Sequence, residues 1–166
     1  GSGGHVLPAI TIYDHLKNEY ENLISSDCRG LKYLDNNNYK VVIINTPKLN
    51  NLFLFPFSIL KVFFLTIKSL IFLKKEKISI LISTGGYMSL PFCLAAKVLN
   101  IKIFLIEPNM VIGRANKFFL GFSKKIICYS KDLIGFPKNF EKKLEIINPL
   151  IRKKYYDKDI YKNKDN

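Results

Sequence analysis

Short apolar runs alternate along this chain with longer stretches of helical periodicity, and glycine, proline and asparagine punctuate the joins. Residues 78–82, Ile-Ser-Ile-Leu-Ile, read as a β-branched strand suited to burial on both faces. The run breaks at Thr84-Gly85-Gly86, and a helix is predicted behind it. Ser89 stands as its cap, Pro91 falls in its first turn, and Phe92, Ala95, Ala96 and Leu99 recur at helical spacing. A second unit of this kind opens the chain: Gly1-Ser2-Gly3-Gly4-His5 is a glycine-rich loop running into a helix with Ala9, Tyr13, Leu16 and Tyr20 on one stripe. Such a loop normally follows a buried strand, so the pattern predicts a first β-strand that this sequence does not carry. Gly1-Ser2 alone also reads as a cloning remnant, which leaves Gly3-Gly4-His5 unexplained.

The remaining pattern is consistent with the same plan. A short strand is predicted near Leu23 and Ile24, a polar turn over 25–30, and a strand over 39–44 introduced by Asn36-Asn37-Asn38. A buried strand over 101–106 is stopped by Pro108, and a helix over 114–122, a strand over 125–128 and a weaker strand over 144–147 follow. Strands alternating with helices predict a Rossmann-like α/β domain with a mostly parallel sheet over 1–150. The polar, highly charged stretch 151–166 reads as a linker or tail.

Residues 52–73 are the most apolar segment and long enough to suggest a membrane span. Lys61 and Lys68 argue against crossing, since each would cost roughly 2.5 to 3.5 kcal/mol at a bilayer centre. Lys61, Lys68 and Lys75 recur every seven residues along one face of a helix starting near Pro56, whose other face carries Leu60, Phe63, Phe64, Ile67, Leu70 and Ile71. Such a helix lies in a membrane interface, packs on a sheet, or divides itself between the two. The docking set is Phe57, Leu60, Lys61, Phe64, Lys68, Ile71 and Lys75.

Charge sharpens this picture. Lys+Arg 26 against Asp+Glu 13 gives a net +13, which favours a polyanionic partner: nucleic acid, an anionic bilayer or a phosphorylated substrate. A bias towards Lys, Asn, Ile, Phe and Tyr accounts for part of the excess. A nucleic-acid module would interleave aromatics with Lys and Arg, whereas here the aromatics concentrate in 52–73, so no nucleic-acid partner is expected. Cys28, Cys93 and Cys128 are widely spaced and read as reduced core residues, and with only His5 and His15 available no metal site is expected.

Both glycine loops, together with Glu107-Pro108-Asn109, follow strands at one edge of the sheet, where open α/β folds place their ligands. A strand, a glycine turn and a helix N-terminus at one point favour an anion, although Gly-Gly there also serves as a plain tight turn. No GxGxxG is present, and Gly3-Gly4 lacks the Lys-Ser/Thr of a P-loop, which disfavours ordinary dinucleotide or NTPase chemistry. His5 is placed to donate to a phosphate, to act as an acid/base, or simply to cap the helix.

Four motifs, in order and spacing, carry a resemblance. Gly1-Ser2-Gly3-Gly4-His5 with Pro8 and Ala9 resembles the GTGGHxxPAL opening loop of the MurG family of bacterial N-acetylglucosaminyltransferases. Gly85-Gly86-Tyr87-Met88-Ser89 with Pro91 resembles its GGYVSxP loop, and Glu107-Pro108-Asn109 with Gly113, Asn116 and Lys117 resembles its HEQNxxxGxxNK. Asn148-Pro149 with Arg152 resembles a loosened GNPxR. Ile106, Pro108 and the late Arg152 depart from those patterns.

The resemblance implies the N-terminal, acceptor-binding half of a two-domain GT-B glycosyltransferase, with a C-terminal donor domain expected in cis or in trans. It implies an inverting, metal-independent transfer without cofactor, from UDP-N-acetylglucosamine to the C4 hydroxyl of an undecaprenyl-pyrophosphoryl acceptor. That step converts lipid I to lipid II in peptidoglycan synthesis, at the cytoplasmic face of the inner membrane. By position, Ser2, Gly3, Gly4, Asn109 and Arg152 would face the donor. Gly85, Gly86, Tyr87 and Ser89 would cradle the acceptor diphosphate, and His5, with Glu107 second, would be the acid/base. The rival reading is a membrane-anchoring acceptor subunit of a split, two-chain N-acetylglucosaminyltransferase.

Overall fold

The computed structural model describes residues 3–34, 38–47 and 55–152. The elements run α1 (Gly3–Leu16), β1 (Ile24–Ser26), β2 (Val41–Ile43), α2 (Phe55–Lys75), β3 (Ile80–Ser83), α3 (Ser89–Val98), β4 (Lys102–Glu107), α4 (Arg114–Phe119), β5 (Lys125–Cys128) and β6 (Leu144–Ile146). Among the described residues the strands form two sheets, β1-β2 and β3-β4-β5-β6, and every pairing is parallel. Parallel neighbours require crossovers, and α3 and α4 supply them between β3, β4 and β5. The predicted α/β class with parallel strands is therefore present, divided among the described residues between two sheets instead of one.

The core lies under β4, where Ile103, Leu105 and Ile106 are at most 3% exposed, and is closed by Phe92, Ala95 and Ala96 of α3 and Phe119 of α4. Helix α2 packs on α3, with the Phe72 ring edge-on to Phe92, and Ser58 and Ser69 on α2 and Ala95 and Ala96 on α3 are buried. Burial in this layer pushes the Cys93 thiol up to about 12 and leaves it neutral. Cys128 is also buried, but Cys28 is exposed and accepts from the Asn45 amide, which corrects the expectation of three core cysteines.

Several local expectations change. Gly3 and Gly4 are the first turn of α1 instead of a loop before it. The buried stripe of α1 is Val6, Ile10 and Thr11, because those positions meet Ile24 and Leu34; Tyr20 lies beyond the helix and is exposed. Met88 occupies the cap of α3 without a side-chain bond, and Ser89 is the first helical residue, its hydroxyl donating to the Gly86 carbonyl. The helix expected to reach 122 ends at Phe119. Asn36, Asn37 and the tail beyond Arg152 lie outside the described residues.

Strand β3 departs most. It was expected to be buried on both faces, yet Ile80 is 42% and Ile82 37% exposed. The cause is a cavity of about 200 Å³ lined by α1, β1 and β3 together, with Ala9, Ile24, Leu81 and Phe92 among its walls. It runs between β1 and β3, which no hydrogen bond joins among the described residues.

Candidate functional site

Parallel strands send all their carboxyl ends to one side, and the loops that follow β1, β3 and β4 meet there. His5, in the first turn of α1, is tied to the loop after β3 by two reciprocal hydrogen bonds. Its Nδ1 lies 2.6 Å from the Thr84 carbonyl, and the Thr84 hydroxyl donates to the His5 carbonyl at 2.8 Å. A carbonyl only accepts, so Nδ1 carries the proton and the neutral ring keeps its lone pair on Nε2. That is the tautomer a general base needs.

The two glycines beside it are required twice over. Gly85 and Gly86 have φ of 87° and 83°, in the left-handed region where a side chain is strained. A methyl group on Gly86 would also come 3.3 Å from the His5 ring, and one on Gly85 3.3 Å from the Asn116 amide. The imidazole thus lies directly on the glycine turn. Ser83 Oγ accepts the Gly85 N–H at 3.2 Å and fixes the turn from the strand side.

Glu107 ends β4 at 1% exposure, and both of its oxygens are occupied. Oε1 accepts the Asn109 backbone N–H and side-chain amide at 3.3 and 3.0 Å. Oε2 accepts the Gly113 N–H at 2.8 Å and the Asn116 amide at 3.0 Å. As placed, Glu107 organises the loop from Asn109 to Asn116, whereas His5 lies on the cleft wall itself. Asn116 also donates to the Ile106 carbonyl at 3.0 Å, and its buried Oδ1 has no partner among the described residues.

These loops enclose a cleft of about 330 Å³ whose walls include His5, Gly86, Tyr87 and Met88. The structure therefore brings together His5, Gly85, Gly86, Tyr87 and Ser89, and links them through Asn116 to Glu107 and Asn109. Gly3 sits at the start of α1 against the Tyr33 ring, Gly4 follows it, and Ser2 lies outside the described residues. Arg152 is elsewhere. Its guanidinium lies beside the Tyr39 hydroxyl, which donates to Asp14. Asp14 is nine residues past His5 on α1, about 14 Å along the axis. The chain after β6 turns towards that end of α1, which separates Arg152 from the cleft.

Two cleft-lining cations, Arg29 and Arg114, were not singled out from the sequence. The signal was present: Ser26-Asp27-Cys28-Arg29-Gly30 follows a strand at the same sheet edge as the other loops.

The α2 surface bears on the docking set. Phe57 is 72% exposed, and Leu60, Phe64 and Ile71 are exposed with Lys61, Lys68 and Lys75. Leu70 instead packs on the core. Among the described residues no helix is long and apolar enough to cross a membrane.

Residues 1–128 match the model of the glycosyltransferase family 28 N-terminal domain. Over 162 residues the chain is 49% identical to the UDP-N-acetylglucosamine–N-acetylmuramyl-(pentapeptide) pyrophosphoryl-undecaprenol N-acetylglucosamine transferase of Pelagibacter ubique (strain HTCC1062), covering 97% of this chain and 46% of that protein. The protein of the same name from Rickettsia prowazekii (strain Madrid E) is 33% identical over 164 residues, covering 97% of this chain and 42% of its own length. Among solved structures, Acinetobacter baumannii MurG superposes with a TM-score of 0.74 at 22% identity, over 92% of this chain and 44% of that one. A glycosyltransferase from Rickettsia africae ESF-5 gives 0.67 at 20% identity, over 94% and 42%. The chain spans somewhat under half the length of the curated relatives it matches.

Proposed function

The chain belongs to glycosyltransferase family 28 through its N-terminal domain, and on that premise we propose that it is the acceptor-binding half of an inverting N-acetylglucosaminyltransferase. Its acceptor is a muramyl sugar on a polyprenyl diphosphate, and its donor is UDP-N-acetylglucosamine, held by a second domain. The observation that carries this reading is the His5–Thr84 pair. It fixes an imidazole with Nδ1 protonated against a glycine turn in a cleft. His5 Nε2 takes the proton of the acceptor C4 hydroxyl as its oxygen attacks the anomeric carbon, and UDP leaves with the bonding electron pair. Glu107 keeps the loop after β4 in place and does not touch the reacting atoms. Gly3, Gly4 and Asn109 stand on the donor side of the same sheet edge.

The exposed apolar face of α2, rimmed by Lys61, Lys68 and Lys75, supports a peripheral site on an anionic leaflet where such an acceptor resides. The test joins this chain to the second half of the Pelagibacter ubique relative and measures transfer of labelled N-acetylglucosamine to a lipid-linked muramyl acceptor. Transfer by the chimera is expected, and His5→Gln should lower kcat by about 10² to 10⁴ with little change in KM. A folded chimera that transfers equally well with Gln at position 5 would refute His5 as the base.

A further inference from the structure

Asp27 follows β1 directly, is 3% exposed, and uses both carboxylate oxygens locally. Oδ1 accepts the Gly30 N–H at 3.0 Å, while Oδ2 accepts from Arg29 Nε at 2.9 Å and Nη2 at 2.6 Å. The guanidinium is therefore gripped side-on. It carries five N–H groups; this pairing takes two on the Nε edge and leaves the Nη1/Nη2 edge without a partner among the described residues. The Arg29 side chain is 57% exposed and lines the cleft of His5 and Gly86. Arg114 lines the same cleft from the start of α4, and its side chain has no hydrogen bond or ion pair among the described residues.

We infer that Arg29 and Arg114 form a two-guanidinium clamp for a diphosphate, with Tyr87 and the glycine turn between them. Charge balance favours an anion. Asp27 is the cleft's one acidic wall residue among those described, and it is already neutralised by Arg29. Fork geometry favours phosphate, because a free guanidinium edge presents two parallel donors to two oxygens of one tetrahedral group. Two forks arising from separate elements suit two linked phosphates better than one. Asp27 holds the first fork in plane before any ligand arrives. Assigning this diphosphate to the lipid-linked acceptor rests on the function proposed above, but the clamp itself does not.

Calorimetric titration of the chain with inorganic pyrophosphate, orthophosphate, farnesyl diphosphate and UDP tests it. Pyrophosphate should bind at least tenfold more tightly than orthophosphate. Arg29→Lys keeps a cation for buried Asp27 but removes the fork, and Arg114→Gln removes a surface charge. Each should weaken pyrophosphate at least tenfold with an unchanged melting temperature. No preference for pyrophosphate, or unaltered affinity in both folded variants, overturns the inference. Farnesyl diphosphate weakened in parallel supports the acceptor assignment. If UDP alone tracks the two arginines, the clamp stands and the acceptor assignment falls.

Discussion

A methyl group on Gly30 would arrive 2.0 Å from the Ser26 hydroxyl and 3.0 Å from Val6, both buried. Gly30→Ala is therefore expected to cost about 1 to 3 kcal/mol by overpacking, read as a fall of several degrees in melting temperature. Ser26→Ala in the same chain removes the nearer clash and should restore part of the loss. Because the Gly30 N–H is bonded to Asp27, the substitution also loosens Arg29. At this scale the sequence disclosed glycine turns and a histidine, since left-handed backbone and helix starts have residue signatures. It did not disclose that Glu107 is consumed by its own loop or that Thr84 sets the His5 tautomer. The second depends on a contact across 79 residues of chain, and the first on how a short loop folds back on its own carboxylate.

Among the elements, α2 was legible as an amphipathic helix because its lysine and apolar periods differ in phase, and both faces are exposed except at Leu70, which packs on the core. Its partner surface was less legible: the contact with α3 runs through Phe72 on Phe92, and the burial of Ser58 and Ser69 is marked by no hydropathy pattern. Changing Lys61, Lys68 and Lys75 together to Glu should abolish flotation of the chain with anionic liposomes. Each lysine contributes about 1 kcal/mol near such a surface, so the triple change weakens binding by on the order of 100-fold or more. Neutral liposomes should retain little of either protein. Equal flotation of the two proteins with anionic vesicles would place the apolar face of α2 against something other than lipid headgroups.

For the whole molecule, the alternation of strands and helices was enough to predict a parallel α/β domain with its ligand edge at the strand ends, because crossover geometry leaves few other solutions. Arg152 shows the limit of that logic, since a motif matched in order alone says nothing of where the chain turns after β6. The gap between β1 and β3 has a different consequence. Among the described residues no strand pairs across it, and with Ile80 and Ile82 exposed on β3 it is suited to seat one further extended segment. A soluble, short β-branched peptide should therefore raise the melting temperature of these 166 residues taken alone, and the same peptide with proline at its centre should not. The gap is thus a socket for one more strand, whichever polypeptide supplies it.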